Sequence, residues 1–308
     1  MAAFGDAAEA EPGSKGCGPL IPPLSESMRP LRQQVFERVR ASGLVARVQL
    51  AKDLGVSPAS VTTITSELIE AGLIEEVAAP RETDIGRGRP AVALGVRAQA
   101  HLVAGMKMSD REQSAVIVDF AGNLLADEVI PRRPGPMPLV EMLDAMEALL
   151  NRVCLKAGFA WADLSAVGIG LPGFVDHAEG VVLWSSTLTD RSVALAEAAT
   201  ARLNLPVTID NDANLVALAE LWFGAGRSLG DFAVVTFEHG VGMGFVMNHR
   251  IYRGAQRLGM ELGHTKVQLD GALCRCGQRG CLEAYVADYA LAREAATALN
   301  WGHKESQP

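Results

Sequence analysis

The sequence predicts an α/β protein that opens with a small helical, winged module. Three observations predict it. Apolar residues recur at helical spacing up to about Leu68, then give way to short strand-like runs. From about Gln99, apolar strand patterns alternate with a long amphipathic helix and glycine-rich turns. Near the end, His264, Cys274, Cys276 and Cys281 fall within eighteen residues, with glycines between them.

The 308 residues suffice for two domains, and 49% apolar against 21% charged content suits a soluble, well-cored chain. There is no uninterrupted apolar run of about eighteen residues, so no membrane helix is expected. Met1 to about Ser27 is rich in Ala, Gly, Pro and acids and lacks the basic-then-apolar start of a secretory signal. Residues 1–28 are therefore expected to be a disordered leader. Five cysteines, three of them clustered, point to a reducing cytoplasm, with Cys17 and Cys154 lacking an evident partner. A net charge of −8 argues against non-specific nucleic-acid binding by the whole chain. Yet residues 29–97 carry ten Lys/Arg against eight Asp/Glu, so the acid excess lies elsewhere.

Residues 29–97 read as a winged helix-turn-helix. Leu31, Val35, Val39 and Leu44 give a helical stripe ended by Ser42-Gly43. A short helix over about Val48–Leu54 stops at Gly55. Ser57-Pro58 starts a third helix, with Ser as cap and Pro at the first position. Its apolar Val61, Ile64 and Leu68 face inward, which leaves Ala59, Ser60, Thr62, Thr63 and Ser66 outward. The second helix of such a pair enters the DNA major groove. Leu73–Val77 and Ala91–Leu94 read as wing strands around Gly86-Arg87-Gly88-Arg89-Pro90. Arg87 and Arg89 on a glycine backbone suit a narrow minor groove. The expected DNA contacts are Ser57, Ala59, Ser60, Thr62, Thr63, Arg87 and Arg89. No Lys or Arg occurs from Asp53 through Pro80. Phosphate contacts then fall to Arg47, Lys52, Arg81, Arg87, Arg89 and backbone N–H groups at the helix start, and useful specificity needs a homodimer or higher homo-oligomer. A small helical adaptor with a solvated loop is the competing reading.

Residues 98–308 read as an α/β domain with a first lobe over about 98–229 and a second over about 230–308. Leu102–Met108, Ser114–Asp119 and Leu124–Ile130 are expected strands, with Gly122-Asn123 as a turn. A long helix spans about Pro138–Ala157. Ala166–Leu171 and Val207–Asp210 are further strands, and the latter delivers Asn211-Asp212-Ala213-Asn214 to a helix start. Phe232–Phe237 and a glycine loop, Gly240-x-Gly-x-Gly244, begin the second lobe. A last helical stretch covers about Leu282–Leu299.

Two sets of residues carry chemistry. His264, Cys274, Cys276 and Cys281 can fill a tetrahedral shell, the arrangement of a structural Zn2+ site with no open position. The competing readings are small buried residues or disulfides. Asp212, between a strand end and a helix start, could accept a hydroxyl proton in phosphoryl transfer, or could simply cap the helix. Asn211, Glu261 and Glu283 suit the hydroxyls of a polyol. His264 could use one ring nitrogen on the metal and the other on a ligand.

These motifs resemble a known family. Gly168-x-Gly-x-Pro-Gly173, Asn211-Asp212-x-Asn214, Gly240-x-Gly-x-Gly244, Glu261-x-Gly-His264 and Cys274-x-Cys-Gly-x-x-Gly-Cys-Leu-Glu283 follow the order seen in ROK (repressor, open reading frame, kinase) proteins. The preceding winged module is the arrangement of ROK transcriptional regulators. The resemblance covers about residue 29 to the end. It implies an actin-like ATPase, ribonuclease H-like fold in two lobes with a sugar in the cleft. It also implies sugar contacts at Asn211, Asp212, Glu261, His264 and Glu283.

The kinase pattern is broken. Where active members carry Asp-x-Gly-Gly-Thr to cradle phosphate, this chain has Lys107-Met-Ser109-Asp110-Arg111. The acid has become a cation and the glycine pair has become Ser109-Asp110. Members usually continue well past the position of Pro308, so a second lobe incomplete at the C-terminus is expected. The resulting expectation is a cytoplasmic, sugar-responsive repressor of carbohydrate genes that binds operator DNA and a sugar effector, without enzymatic turnover. The alternatives are a sugar kinase with Asp212 as base, or a regulator that binds DNA but no longer responds.

Overall fold

The computed structural model describes residues 16–21, 29–78, 92–254 and 260–304. In its first part, helices α1 (Leu31–Ser42), α2 (Arg47–Leu54) and α3 (Pro58–Glu70) pack on a three-stranded antiparallel sheet. The strands are β1 (Leu44–Val45), β2 (Ile74–Ala78) and β3 (Val92–Val96), in the order β1-β3-β2. Gly55 ends α2 in the left-handed region at φ 64, which favours glycine. Ser57 caps α3 by accepting the Ser60 N–H at 3.1 Å, and Pro58 fills the first position. Val35, Val39, Leu50, Val61, Leu68, Ile74 and Leu94 form one core.

Leu44 corrects the sequence reading. It belongs to β1, where it pairs with Gly95, and not to the stripe of α1. Gly43 breaks the helical period, so the next apolar pair follows strand geometry. The expected wing loop, including Arg81, Arg87 and Arg89, lies outside the described residues.

The second part begins with an antiparallel meander of β4 (Leu102–Met108), β5 (Glu112–Asp119) and β6 (Leu124–Pro131). Helix α4 (Leu139–Ala157) returns the chain to β7 (Leu164–Leu171), parallel to β4. A hairpin of β8 (Phe174–Asp176) and β9 (Val181–Trp184), then α5 (Leu195–Leu203), lead to β10 (Val207–Asn211), parallel to β7. The sheet order is β10-β7-β4-β5-β6. The apolar stripe of α4 (Met142, Met146, Leu149, Leu150 and Val153) shares one core with Ile117 and Ile169 of the sheet.

Helix α6 (Asp212–Phe223) leads to a smaller antiparallel sheet of β11 (Phe232–Phe237), β12 (Val241–Met247) and β13 (Arg250–Ile251). Ala217 and Leu221 of α6 pack with Val246 of β12. Two helices, α7 (Glu283–Val286) and α8 (Asp288–Lys304), follow. No described helix is long and apolar enough to cross a membrane.

The expected disordered leader is corrected for residues 16–21, which are docked. The Cys17 N–H donates to Arg40 O at 2.9 Å, the Gly18 N–H to Trp222 O at 2.7 Å and the Leu20 N–H to Arg227 O at 2.8 Å. Cys17 is 4% exposed. This strap joins α1 to the far end of α6. Composition averaged over the whole leader hides six residues whose backbone groups find partners elsewhere. Residues 1–15 and 22–28 lie outside the described residues.

Candidate functional site

Strand β10 ends in Asp210-Asn211-Asp212, and each side chain has a different use. Asp210 is buried with both oxygens engaged. Its Oδ1 accepts the Asn211 N–H at 2.8 Å and the Asn214 amide at 3.0 Å. Its Oδ2 accepts Arg253 Nε at 3.1 Å and Nη2 at 2.6 Å. Asn211 caps α6: its Oδ1 accepts the Ala213 and Asn214 N–H groups at 2.9 and 3.2 Å, and its Nδ2 donates to Gly173 O at 3.0 Å. Most of its hydrogen-bonding capacity is thus committed to the fold, leaving one amide N–H for a ligand. Asp212 is the acid that remains. Burial pushes its carboxyl up, and the Lys107 ammonium opposes that rise.

Small residues set this helix start in place. A Cβ on Gly244 would come within 2.6 Å of the Ala217 Cβ, and one on Gly242 within 2.9 Å of the Ala213 Cβ. Gly242 and Gly244 are therefore residues of strand β12 pressed on α6, which corrects the expectation of a glycine loop. Gly240 alone lies in the turn before β12.

The expected ligand-binding acids converge. Glu261 is exposed overall, yet the surrounding protein pushes its carboxyl up; His264 opposes this, while Glu283 and Asp212 add to it. His264, Glu283 and Asp212 act on Glu261 because they share one cleft with it. Glu283 is buried, with Oε2 accepting the Val241 N–H at 3.3 Å and Oε1 facing Cys274 Sγ at 3.5 Å. It ties the acids to the cysteines.

The donor atoms of His264, Cys274, Cys276 and Cys281 all lie within 4.8 Å of one another. His264 Nδ1 is 3.8 Å from Cys274 Sγ, and the Cys276 and Cys281 sulfurs are 3.8 Å apart. A tetrahedral ion with metal–sulfur bonds of about 2.3 Å holds its sulfurs about 3.8 Å apart, so the residues fit a metal. All five cysteines are free thiols, so the disulfide reading fails. Burial pushes the Cys274 thiol up to about 11. A cation among the sulfurs would draw out its thiolate at neutral pH. The knuckle closes by Cys274 N–H to Gln278 O at 2.8 Å and Gly277 N–H to Cys274 O at 3.0 Å. Tyr289, which sequence reading missed, donates its hydroxyl to Cys274 Sγ at 3.8 Å under the stacked Arg275 guanidinium. No spacing signature marks it.

Opposite the acids, β4 and β5 meet in a tight hairpin. The Ser109 N–H and hydroxyl both donate to Glu112 O, at 3.2 and 2.7 Å. Lys107 Nζ lies 3.7 Å from Glu238 Oε2. The Asp110 carboxylate accepts the Ser186 hydroxyl at 3.2 Å. The stretch that the sequence reading sets against the phosphate cradle thus carries a cation facing Glu238 and a turn bonded to itself.

On α3, Ser57, Ala59, Thr62 and Thr63 are exposed and Ser60 is half-buried. The Thr62 hydroxyl donates to Pro58 O at 2.9 Å and the Thr63 hydroxyl to Ala59 O at 3.2 Å. The Ser57 and Ser60 hydroxyls lie 2.8 Å apart. The threonines therefore offer methyls and lone pairs outward, not protons. Arg47 is not the free phosphate contact expected: it bonds Thr65 Oγ1 at 3.0 Å and pairs with Glu76 at 2.7 Å.

The pattern of the ROK family matches residues 103–307, two thirds of the chain. The chain belongs to the ROK family. The DNA-binding transcriptional dual regulator NagC of Escherichia coli (strain K12) is 29% identical over 276 residues, covering 89% of this chain and 66% of that protein. The crystal structure of a ROK family transcriptional regulator, a homolog of the E. coli MLC protein, superposes with a TM-score of 0.69 at 27% identity, covering 90% of this chain and 68% of that one. A ROK family glucokinase from Streptomyces griseus, in complex with glucose and AMPPNP, gives a TM-score of 0.59 at 32% identity, covering 66% of this chain and 62% of that one. The ROK domain here is thus a mixed α/β fold whose structural neighbours include both regulators and kinases. The chain spans about two thirds of the length of the curated relatives it matches.

Proposed function

We propose that this chain is a cytoplasmic, sugar-responsive, DNA-binding transcriptional regulator that represses carbohydrate genes. Residues 29–97 serve as a winged helix-turn-helix that presents Ser57, Ala59, Ser60, Thr62 and Thr63 to operator DNA, with Arg87 and Arg89 on the wing. Residues 98–308 serve as the sensor. A structural zinc on His264, Cys274, Cys276 and Cys281 braces the cleft, where Asp212, Glu261, His264 and Glu283 take sugar hydroxyls with one N–H of Asn211. Zinc suits this donor set because thiolate and imidazole are its preferred ligands. Two copies supply the two half-sites.

One observation carries this reading. Helix α6 starts at the cleft acid Asp212 and ends beside Trp222, whose ring lies 4.0 Å from the Arg40 guanidinium of α1. Twelve helical residues span about 18 Å as a rigid rod. A sugar that moves the start of α6 therefore acts on the DNA-reading module at the other end. The effect requires that the sugar prefer one of the two arrangements.

The kinase reading is not favoured, since Lys107 and the Ser109–Glu112 turn occupy the phosphate side of the cleft. The test is fluorescence anisotropy of the full chain on DNA from upstream of its own gene, with a panel of aldohexoses, N-acetylhexosamines and pentoses. The expected result is sequence-specific binding that one sugar weakens at least tenfold. Absence of sequence-specific binding at moderate salt would refute it.

A further inference from the structure

We propose that the cavity between α1 and the β12–β13 hairpin is a binding site for a small oxyanion, a phosphate or carboxylate group held by Arg40 and His249. The cavity has a volume of about 220 Å³ and is lined by Leu20, Gln33, Arg40, Trp222 and His249, among others. A water occupies about 30 Å³ of liquid, so this space takes one tetrahedral oxyanion with a few waters.

Two buried nitrogens point to the ligand. Arg40 Nε and His249 Nδ1 are both buried and make no hydrogen bond. Buried donors are nearly always satisfied, and each exception calls for an ion or water. Their chemistry favours an anion over water. Three guanidinium groups and the Glu37 carboxylate line the cavity, and among the described residues Arg40 is the guanidinium without an ion pair. Arg29 holds both oxygens of Glu37, at 2.7 and 2.6 Å. Arg38 faces Asp53 at 3.6 Å and donates to Leu20 O at 3.1 Å. Arg40 instead lies over the rings of Trp222 and Phe36, which fix its plane but leave its Nε–H free.

His249 supplies an independent argument. The hairpin turns through Asn248 and His249 at φ 52 and 59, the conformation of a two-residue type I′ turn. Glycine is the favoured residue at the second position, and a side chain there is strained. The imidazole at this position lines the cavity together with Arg40 of α1. With its proton on Nδ1 it donates to the same ligand as Arg40. The anion would then bridge the first module to the second-lobe hairpin beside the strap.

Isothermal titration of the full chain with inorganic phosphate tests the site, with sodium acetate in a parallel arm. Wild type should bind one anion saturably. Phosphate binding tighter than acetate identifies a phosphoryl ligand, and the reverse identifies a carboxylate. His249→Gly, which relieves the turn, and Arg40→Met, which keeps an apolar stem on Trp222, should each weaken binding at least tenfold. The proposal is overturned if neither anion binds saturably. It is also overturned if either variant, shown folded by circular dichroism, binds as tightly as wild type.

Discussion

The two sides of the cleft in the second domain have diverged. On one side, burial raises the Glu261 carboxyl and the nearby Glu283 and Asp212 add to the rise, while Glu283 touches the cysteine knuckle. Three of the cleft side chains are held from behind: Asp212 by the start of α6, Glu283 by the Val241 amide, His264 by its place among the thiols. On the other side, the β4–β5 hairpin closes on itself through Ser109 and Glu112, and Lys107 points its charge at the acids. Recognition needs fixed donors and acceptors; phosphoryl transfer also needs open amides and a metal-binding acid. Fixed acceptors stand on the first side, while the Ser109–Glu112 turn on the second spends its own donors. Under the proposed function, the cleft would keep its ligand while losing its chemistry, which suits a sensor.

The largest expected effect breaks the better-preserved side at its brace. Cys276→Ser should reduce zinc from about one per chain to near zero, read by inductively coupled plasma mass spectrometry. Sugar affinity should fall at least tenfold, because Glu283 and His264 lose their support. Retained sugar affinity in the zinc-free variant would separate the knuckle from the cleft.

Asp212→Asn comes next. The folded carboxyl sits above its ordinary value because of burial, so its ionised form opposes folding. That cost is fully present above the folded value and is relieved as pH falls through the window toward the unfolded value. The variant should therefore melt higher at neutral pH than wild type while binding sugar at least tenfold more weakly. A lower melting temperature would mean that the acid is a structural cap.

The smallest effect probes the contact between the two sides. Burial raises the Asp212 carboxyl and Lys107 limits that rise. Lys107→Ala should let it rise, so that loss of sugar binding on acidification begins at a higher pH. An unmoved acid limb in sugar titrations against pH would show that the ammonium does not act on Asp212.

Local chemistry was legible in the sequence, and contacts between distant segments were not. Ser57-Pro58 announces the start of α3 because capping depends on neighbours in the chain. The metal knuckle is equally local: its spacing alone predicts the cluster that the fold assembles. Asn211 was legible as a polar residue at a helix start, but not as one whose Oδ1 caps that helix and whose Nδ2 gives one of its two N–H groups to Gly173. The Lys107–Asp212 interaction joins the end of β4 to α6, and only the parallel order β10-β7-β4 brings them together. Leu44-Val45 is too short a strand for any periodicity. The docked strap escaped because Cys17 finds its surroundings among Arg40, Trp222 and Arg227, none of them near it in sequence.

The divergence of the two sides is tested most directly by one comparison on the purified full chain. A panel of sugars is titrated by calorimetry, and the sugar that binds is then incubated with Mg-ATP while sugar phosphate is measured. The account predicts saturable sugar binding, no sugar phosphate above the background of the Asp212→Asn variant, and no change in sugar affinity on adding Mg-ATP. ATP-dependent phosphorylation abolished by Asp212→Asn would contradict it, because the phosphate side would then still be working.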